Sequence, residues 1–171
     1  MTTSDEIHDH APARPDWRFL LSHPAHFVAF GFGSGLAPRA PGTFGTLAAL
    51  PLYWLIAPWL TNRQFLLALV LAFALGVWVC DITGKRLGII DYGGIVWDEI
   101  VAMLLVLFFT PPGWYWTLLA FVLFRIFDII KPPPIRHFDS NWHGGLGVMF
   151  DDLLAAGYAL MCIALLKSVL I

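Results

Sequence analysis

Charge is scarce in this chain. Its 171 residues include only 10 Lys and Arg and 12 Asp and Glu, so 13% are charged, against about 25% in soluble domains. Apolar residues reach 58% and the mean hydropathy is +0.73. A soluble globule of this size has too little interior to hide so much apolar surface. A solvated α/β enzyme, a nucleic-acid binder and a disordered protein are thereby excluded. The net charge of −2 is too small to attract a polyanion. Cysteine is nearly missing: Cys80 and Cys162 sit in apolar runs, which argues against a disulfide framework. No soluble-partner motif is present, so no protein partner is evident. Residues 1–16 lack a basic n-region and an apolar h-region, and carry Asp5, Glu6, His8, Asp9 and His10. They read as a polar, disordered tail rather than a signal peptide. Residues 17–171 then form a single integral-membrane domain.

What is abundant is uncharged run. Thr43–Leu60 is long enough to span a bilayer, with Pro51 and Pro58 inside it. Gln64–Cys80 is a second such run. The third, from Ile100 to Phe124, is split by the turn signal Pro111-Pro112-Gly113. Each half is too short alone, so two solutions exist: a re-entrant hairpin, or two spans that extend into charged flanks. The second is preferred, giving spans near Gly94–Thr110 and Trp114–Ile130. A fifth falls near Leu146–Leu170. Trp17–Phe30, broken by Arg18, His23, Pro24 and His26, reads as an interfacial helix. The expected fold is all-α, a polytopic membrane bundle of about five spans with an N-terminal interfacial helix.

The charges then sort by side. Arg14, Arg18, Arg39, Lys85, Arg86, Lys131 and Arg136 fall on one side and Arg63 and Lys167 on the other. The positive-inside rule places the first group in the cytoplasm. All 12 acids lie at that same side. A transporter would more often place polar groups near the midplane. An ion-coupled transporter using the rim carboxylates is the alternative reading.

Four segments at this rim carry chemistry. The loop from Gly31 to Thr46 holds five glycines, which expose backbone N–H groups to a ligand. Thr43 is the expected cap of the first span, whose N-terminus suits phosphate. Asp98 and Glu99 are adjacent, so one is expected to face the bundle and the other the rim; a structural ion pair with Lys85 or Arg86 is the plain alternative. Arg125, Asp128 and Lys131, spaced i, i+3, i+6, share one helix face. Asp151 and Asp152 are expected in the first turn of the last span, where capping explains one acid more readily than two.

Asp98, Glu99, Asp128, Asp151 and Asp152 thus converge at one end of three helices. Such a cluster calls for a cation, and hard oxygen ligands favour Mg²⁺. Lys85, Arg125, Lys131 and Arg136 are left for an anion, most simply phosphate. Mg²⁺, acids and phosphate-binding cations at a membrane surface point to phosphoryl chemistry on a lipid. Cys80 and Arg86 also fit the C-x5-R spacing of cysteine phosphatases, but Asp81 opposes a thiolate there and Gly84 is the single glycine between them.

The runs Gly-Phe-Gly-Ser-Gly-Leu-Ala-Pro…Pro-Gly-Thr-Phe-Gly-Thr (31–46), Asp-Tyr-Gly-Gly-Ile-Val-Trp-Asp-Glu (91–99), Phe-Arg-Ile-Phe-Asp-Ile-Ile-Lys-Pro-Pro-Pro-Ile-Arg (124–136) and Gly-Gly-Leu-Gly-Val-Met-Phe-Asp-Asp (144–152) resemble the bacterial phosphatidylglycerophosphatase A family. The resemblance runs in order over about residues 19–165. It implies a Mg²⁺-dependent phosphoric monoester hydrolase of the inner membrane, facing the cytoplasm. The implied reaction converts phosphatidylglycerophosphate to phosphatidylglycerol and inorganic phosphate in phospholipid biosynthesis. It implies catalytic roles for Asp98, Glu99, Asp128 and Asp151. On this reading Glu99, Asp128 and one or both of Asp151 and Asp152 hold the metal. Asp98 completes that set or acts as general base. Lys85, Arg125, Lys131 and Arg136 hold the phosphate, and the 31–46 loop, with Gly33, Ser34 and Thr43, covers the headgroup. Tyr92 and Gly94 stand where His and Ser are common in the family; neither change removes a carboxylate.

Overall fold

The structure, a computed structural model, describes residues 14–133 and 144–170. Within them the chain is helical and no strand is present. Two short helices, α1 (Trp17–Leu21) and α2 (Pro24–Ala29), precede a 3₁₀ turn at Gly31–Leu36. They are followed by α3 (Pro41–Ile56), which ends in a 3₁₀ turn, and by α4 (Asn62–Leu87). The remaining helices are α5 (Trp97–Phe109), α6 (Trp114–Ile130) and α7 (Gly145–Leu170). Helix α5 sits at the centre, packed on α3, α4, α6 and α7.

The boundaries have local causes. The expected single helix over 17–30 is two, because His23 is extended and Pro24 starts a new helix. The His23 Nδ1 accepts from the Ala25 N–H at 3.1 Å and caps α2. Leu20, Ala25 and Ala29 are buried, and α2 packs on α4. Helix α4 begins at a capping box formed by Thr61 and Gln64. It runs seven residues past the end of the uncharged Gln64–Cys80 run and stops at Gly88, which is left-handed (φ 72°). Helix α6 occupies the expected 114–130 after the Pro111–Gly113 turn.

Helix α5 corrects one span. It starts at Trp97 rather than Gly94 and has 13 residues, about 20 Å of helix. That is short for a bilayer core, but 9 of the 13 are buried, so its neighbours rather than lipid surround it. Thr43 is corrected as a cap: α3 begins at Pro41 after a left-handed Ala40 (φ 48°) with no side-chain cap. Asp151 and Asp152 are corrected too. Helix α7 starts at Gly145 and has no acid in its first turn, so neither carboxylate is a cap. Gly145 is where α7 meets α4; a Cβ there would lie 1.9 Å from the Val77 carbonyl oxygen.

Among the described residues two helices, α4 and α7, are long and apolar enough to cross a membrane. Large apolar side chains also cover the outside of the bundle. Trp59 is 84% exposed, Trp114 79% and Val169 82%. An apolar exterior of this extent marks a surface made for lipid or a partner rather than water.

Candidate active site

Five helix segments bring their polar residues to one end of the bundle: the starts of α3, α5 and α7 and the ends of α4 and α6. Asp98 and Glu99 open α5, and both enter the same cluster rather than dividing between interior and rim. The Glu99 N–H donates to Asp98 Oδ1 at 2.9 Å, which turns the Asp98 carboxylate back toward its neighbour. Asp152, two turns into α7, completes the group. Asp98, Glu99 and Asp152 each offer an oxygen within 4.8 Å of the others.

Helix α6 brings the counter-charge. Arg125 Nη1 lies 2.5 Å from Asp128 Oδ2 and 3.6 Å from Glu99 Oε1. All three side chains are mostly buried, at 14%, 12% and 13% exposure. Asp128 also adjoins Asp152. Lys131 leaves the helix face it was expected to share, because it is the left-handed C-cap of α6 (φ 44°). Its ammonium pairs with Asp151 of α7, so this ion pair joins the ends of two helices.

Two residues that sequence reasoning missed hold Arg125 in place. Thr46 Oγ1 accepts from Arg125 Nη1 at 3.3 Å and donates to the Gly42 carbonyl at 2.9 Å. Gly42 leaves room for the carboxylate: a Cβ there would lie 2.0 Å from Glu99 Oε1 and 3.2 Å from Arg125 Nη1. The available signal was the i, i+4 spacing of Gly42 and Thr46 at the start of an apolar run, with a hydroxyl that needs a partner.

Other expected site residues stand elsewhere. Lys85 pairs with Asp81 at 2.6 Å, on the exposed side of α4. The glycine-rich segment is not an open cradle. The N–H groups of Gly33 and Gly35 both donate to the Phe30 carbonyl at 3.0 Å. Gly33 faces the Trp17 ring, and the Ser34 hydroxyl donates to the Gly31 carbonyl at 2.9 Å. A cavity of about 360 Å³ remains beside this turn, lined by Arg14, Pro41, Tyr92 and Gly94 among others. Thr43 is in the first turn of α3, its N–H donating to the Ala40 carbonyl at 2.9 Å. Arg136 lies outside the described residues.

Cys80 is fully buried near Asp98, Glu99 and Asp152. The segment from Cys80 to Arg86 is continuous helix, so its backbone N–H groups are spent internally and cannot encircle a phosphate. That removes the structural basis of a cysteine-phosphatase loop.

The cluster's own balance asks for a cation. Among the described residues, the five carboxylates Asp98, Glu99, Asp128, Asp151 and Asp152 face two cations, Arg125 and Lys131. Glu99 Oε2, Asp152 Oδ2 and Arg125 Nε are buried without a hydrogen-bond partner. Buried charge without compensation is costly. Orphaned carboxylate oxygens beside an orphaned guanidinium nitrogen fit a hard divalent cation next to an anion.

Comparison with known proteins decides the family. The description Phosphatidylglycerophosphatase A matches residues 27–167. The chain belongs to that family. It is 46% identical over 139 residues to Phosphatidylglycerophosphatase A of Escherichia coli (strain K12), covering 81% of this chain and 80% of the relative. It is likewise 46% identical over 147 residues to Phosphatidylglycerophosphatase A of Haemophilus influenzae (strain ATCC 51907 / DSM 11121 / KW20 / Rd), covering 85% and 90%. No solved structure matches it. The chain is a phosphatase, and the carboxylate cluster with Arg125 is its candidate active site.

Proposed function

We propose that this chain hydrolyses the terminal phosphate of phosphatidylglycerophosphate, giving phosphatidylglycerol and inorganic phosphate in phospholipid biosynthesis. Its names-in-kind support the substrate. The observation that carries the chemistry is the meeting of Asp98, Glu99 and Asp152 within 4.8 Å, with Glu99 Oε2, Asp152 Oδ2 and Arg125 Nε buried without a hydrogen-bond partner.

Asp98, Glu99 and Asp152 would hold Mg²⁺, with Asp128 at the edge of the set. A bound Mg²⁺ would neutralise these acids and polarise the phosphoryl oxygens. Arg125, fixed by Asp128, Glu99 and Thr46, presents Nε to a phosphate oxygen. Lys131, held by Asp151, adds charge at the mouth. Asp98 Oδ1 accepts from the Glu99 N–H, which fixes the orientation of its carboxylate within that set. The cavity beside Tyr92 and Gly94 accommodates the glycerol headgroup.

We read the bundle as a multi-pass protein of the bacterial inner membrane, with α3, α4, α5, α6 and α7 crossing it. Its apolar exterior and the Trp54, Trp59, Trp114 and Tyr115 belt at the end opposite the acids support this. The seven-to-two bias of basic residues by side supports a site at the cytoplasmic face. The test is phosphate release from phosphatidylglycerophosphate by purified protein, with Mg²⁺ and with EDTA. Release only with Mg²⁺ is expected. Full activity in EDTA refutes the metal reading, and no release under either condition refutes the substrate.

A further inference from the structure

A second polar site lies apart from the carboxylate cluster. Where α2 crosses the end of α4, a cavity of about 570 Å³ is lined by Ser22, His23, His26, Ile82, Lys85 and Arg86. It shares no residue with the cluster. We propose that this cavity binds the phosphate group of an anionic phospholipid headgroup.

The walls are fixed before any ligand arrives. His26 is 4% exposed, and its Nδ1 is 3.0 Å from Thr83 Oγ1 of α4. Its ring stacks on Phe19, with centroids 4.5 Å apart. The other His26 nitrogen makes no hydrogen bond among the described residues. His23, which also lines the cavity, spends its Nδ1 on the Ala25 N–H.

The charge is of the right sign. Lys85 is paired with Asp81, while Arg86 is exposed and has no ion-pair partner among the described residues. Burial chiefly, and then the neighbouring charges of His23 and Arg86, hold the His26 pKa below its ordinary value. A guanidinium with two imidazoles and an ammonium matches a phosphate's acceptors.

The choice of a lipid phosphate over the free ion follows from location. The cavity opens at the charged end of α4, and Leu21, next to its lining residue Ser22, is 73% exposed. An apolar shelf beside a basic pocket at a membrane's cytoplasmic side is the arrangement that takes an anionic headgroup with its chains.

The test is native mass spectrometry of the full chain in detergent, titrated with phosphatidylserine, phosphatidylcholine or inorganic phosphate. Phosphatidylserine is a diester, so it is not a substrate for the monoesterase site. Preferential retention of phosphatidylserine over phosphatidylcholine is expected. Arg86→Gln should weaken it about 10-fold, and Arg86→Lys should restore most of it. Arg86 is exposed and has no ion-pair partner among the described residues, so a circular dichroism spectrum unchanged in Arg86→Gln is expected. Equal retention by wild type and Arg86→Gln overturns the site. Displacement of the lipid by millimolar inorganic phosphate overturns the lipid assignment in favour of the free ion.

Discussion

Gly42→Ala separates the geometry of the site from the stability of the fold. Gly42 is in the first turn of α3, where an alanine methyl would lie 2.0 Å from Glu99 Oε1. Ordinary contact begins near 3.4 Å, so the carboxylate must withdraw by about 1.4 Å. The obstacle is the end of a flexible side chain, and alanine is favoured over glycine in a helix by roughly 0.5–1 kcal/mol. Thermal unfolding in detergent should therefore shift little. Activity should not be spared, because a misplacement of about 1 Å at a reacting centre costs on the order of 10²-fold. Steady-state phosphate release from phosphatidylglycerophosphate should thus fall about 100-fold in a protein of near-normal Tm. Gly157→Ala is the matched control: it is on α7 with nothing within 4 Å of the added methyl, and both Tm and rate should hold. A Gly42→Ala enzyme with full activity would show that the position of Glu99 does not matter, and the site would have to be drawn elsewhere.

Asp128→Asn keeps the shape but weakens the 2.5 Å hold on Arg125; kcat should drop roughly 10²–10³-fold with no loss of helix content by circular dichroism. Thr46→Val removes the hydroxyl that positions Arg125. Its kcat/KM should fall about 10–100-fold, Thr46→Ser should rescue it, and an unaltered valine variant would deny Thr46 that positioning role. Cys80→Ala should retain activity, and wild-type enzyme should survive alkylating reagents; loss in both would return the cysteine to the mechanism. His26 has its pKa held below the ordinary 6.5 by burial, His23 and Arg86. The unfolded chain then binds the proton more readily than the folded one, so stability is complete above about pH 6.5 and declines as pH falls below it. Unfolding midpoints from pH 8 to pH 5 should show that decline, and His26→Gln should flatten it.

Sequence spacing was a good guide where one local rule dominated. Pro111-Pro112-Gly113 ended one helix and released the next, and α6 occupies the expected Trp114–Ile130. It failed where several rules competed. Thr43 reads as a cap, yet Pro41 at the first helical position with a left-handed Ala40 as its N-cap starts α3 three residues earlier. Gly31–Thr46 reads as a phosphate loop, yet the N–H groups of Gly33 and Gly35 turn inward to Phe30. A glycine-rich stretch permits both outcomes, and only the packing partner selects one.

The sequence by itself determined the class of molecule and the stock of reactive groups. So few charges in so apolar a chain exclude a solvated globule, and the acids that remain are confined to one end of the apolar runs. Hydropathy and charge count are additive properties of the chain, so they are legible without a fold. The tertiary structure decided which charge meets which. It brought Arg125 to Glu99, sent Lys131 to Asp151, and left Asp98 and Glu99 to converge with Asp152. Those choices depend on the rotation and crossing of α3, α5, α6 and α7 about one another. Such contacts arise between residues far apart in the chain, and no local pattern encodes them.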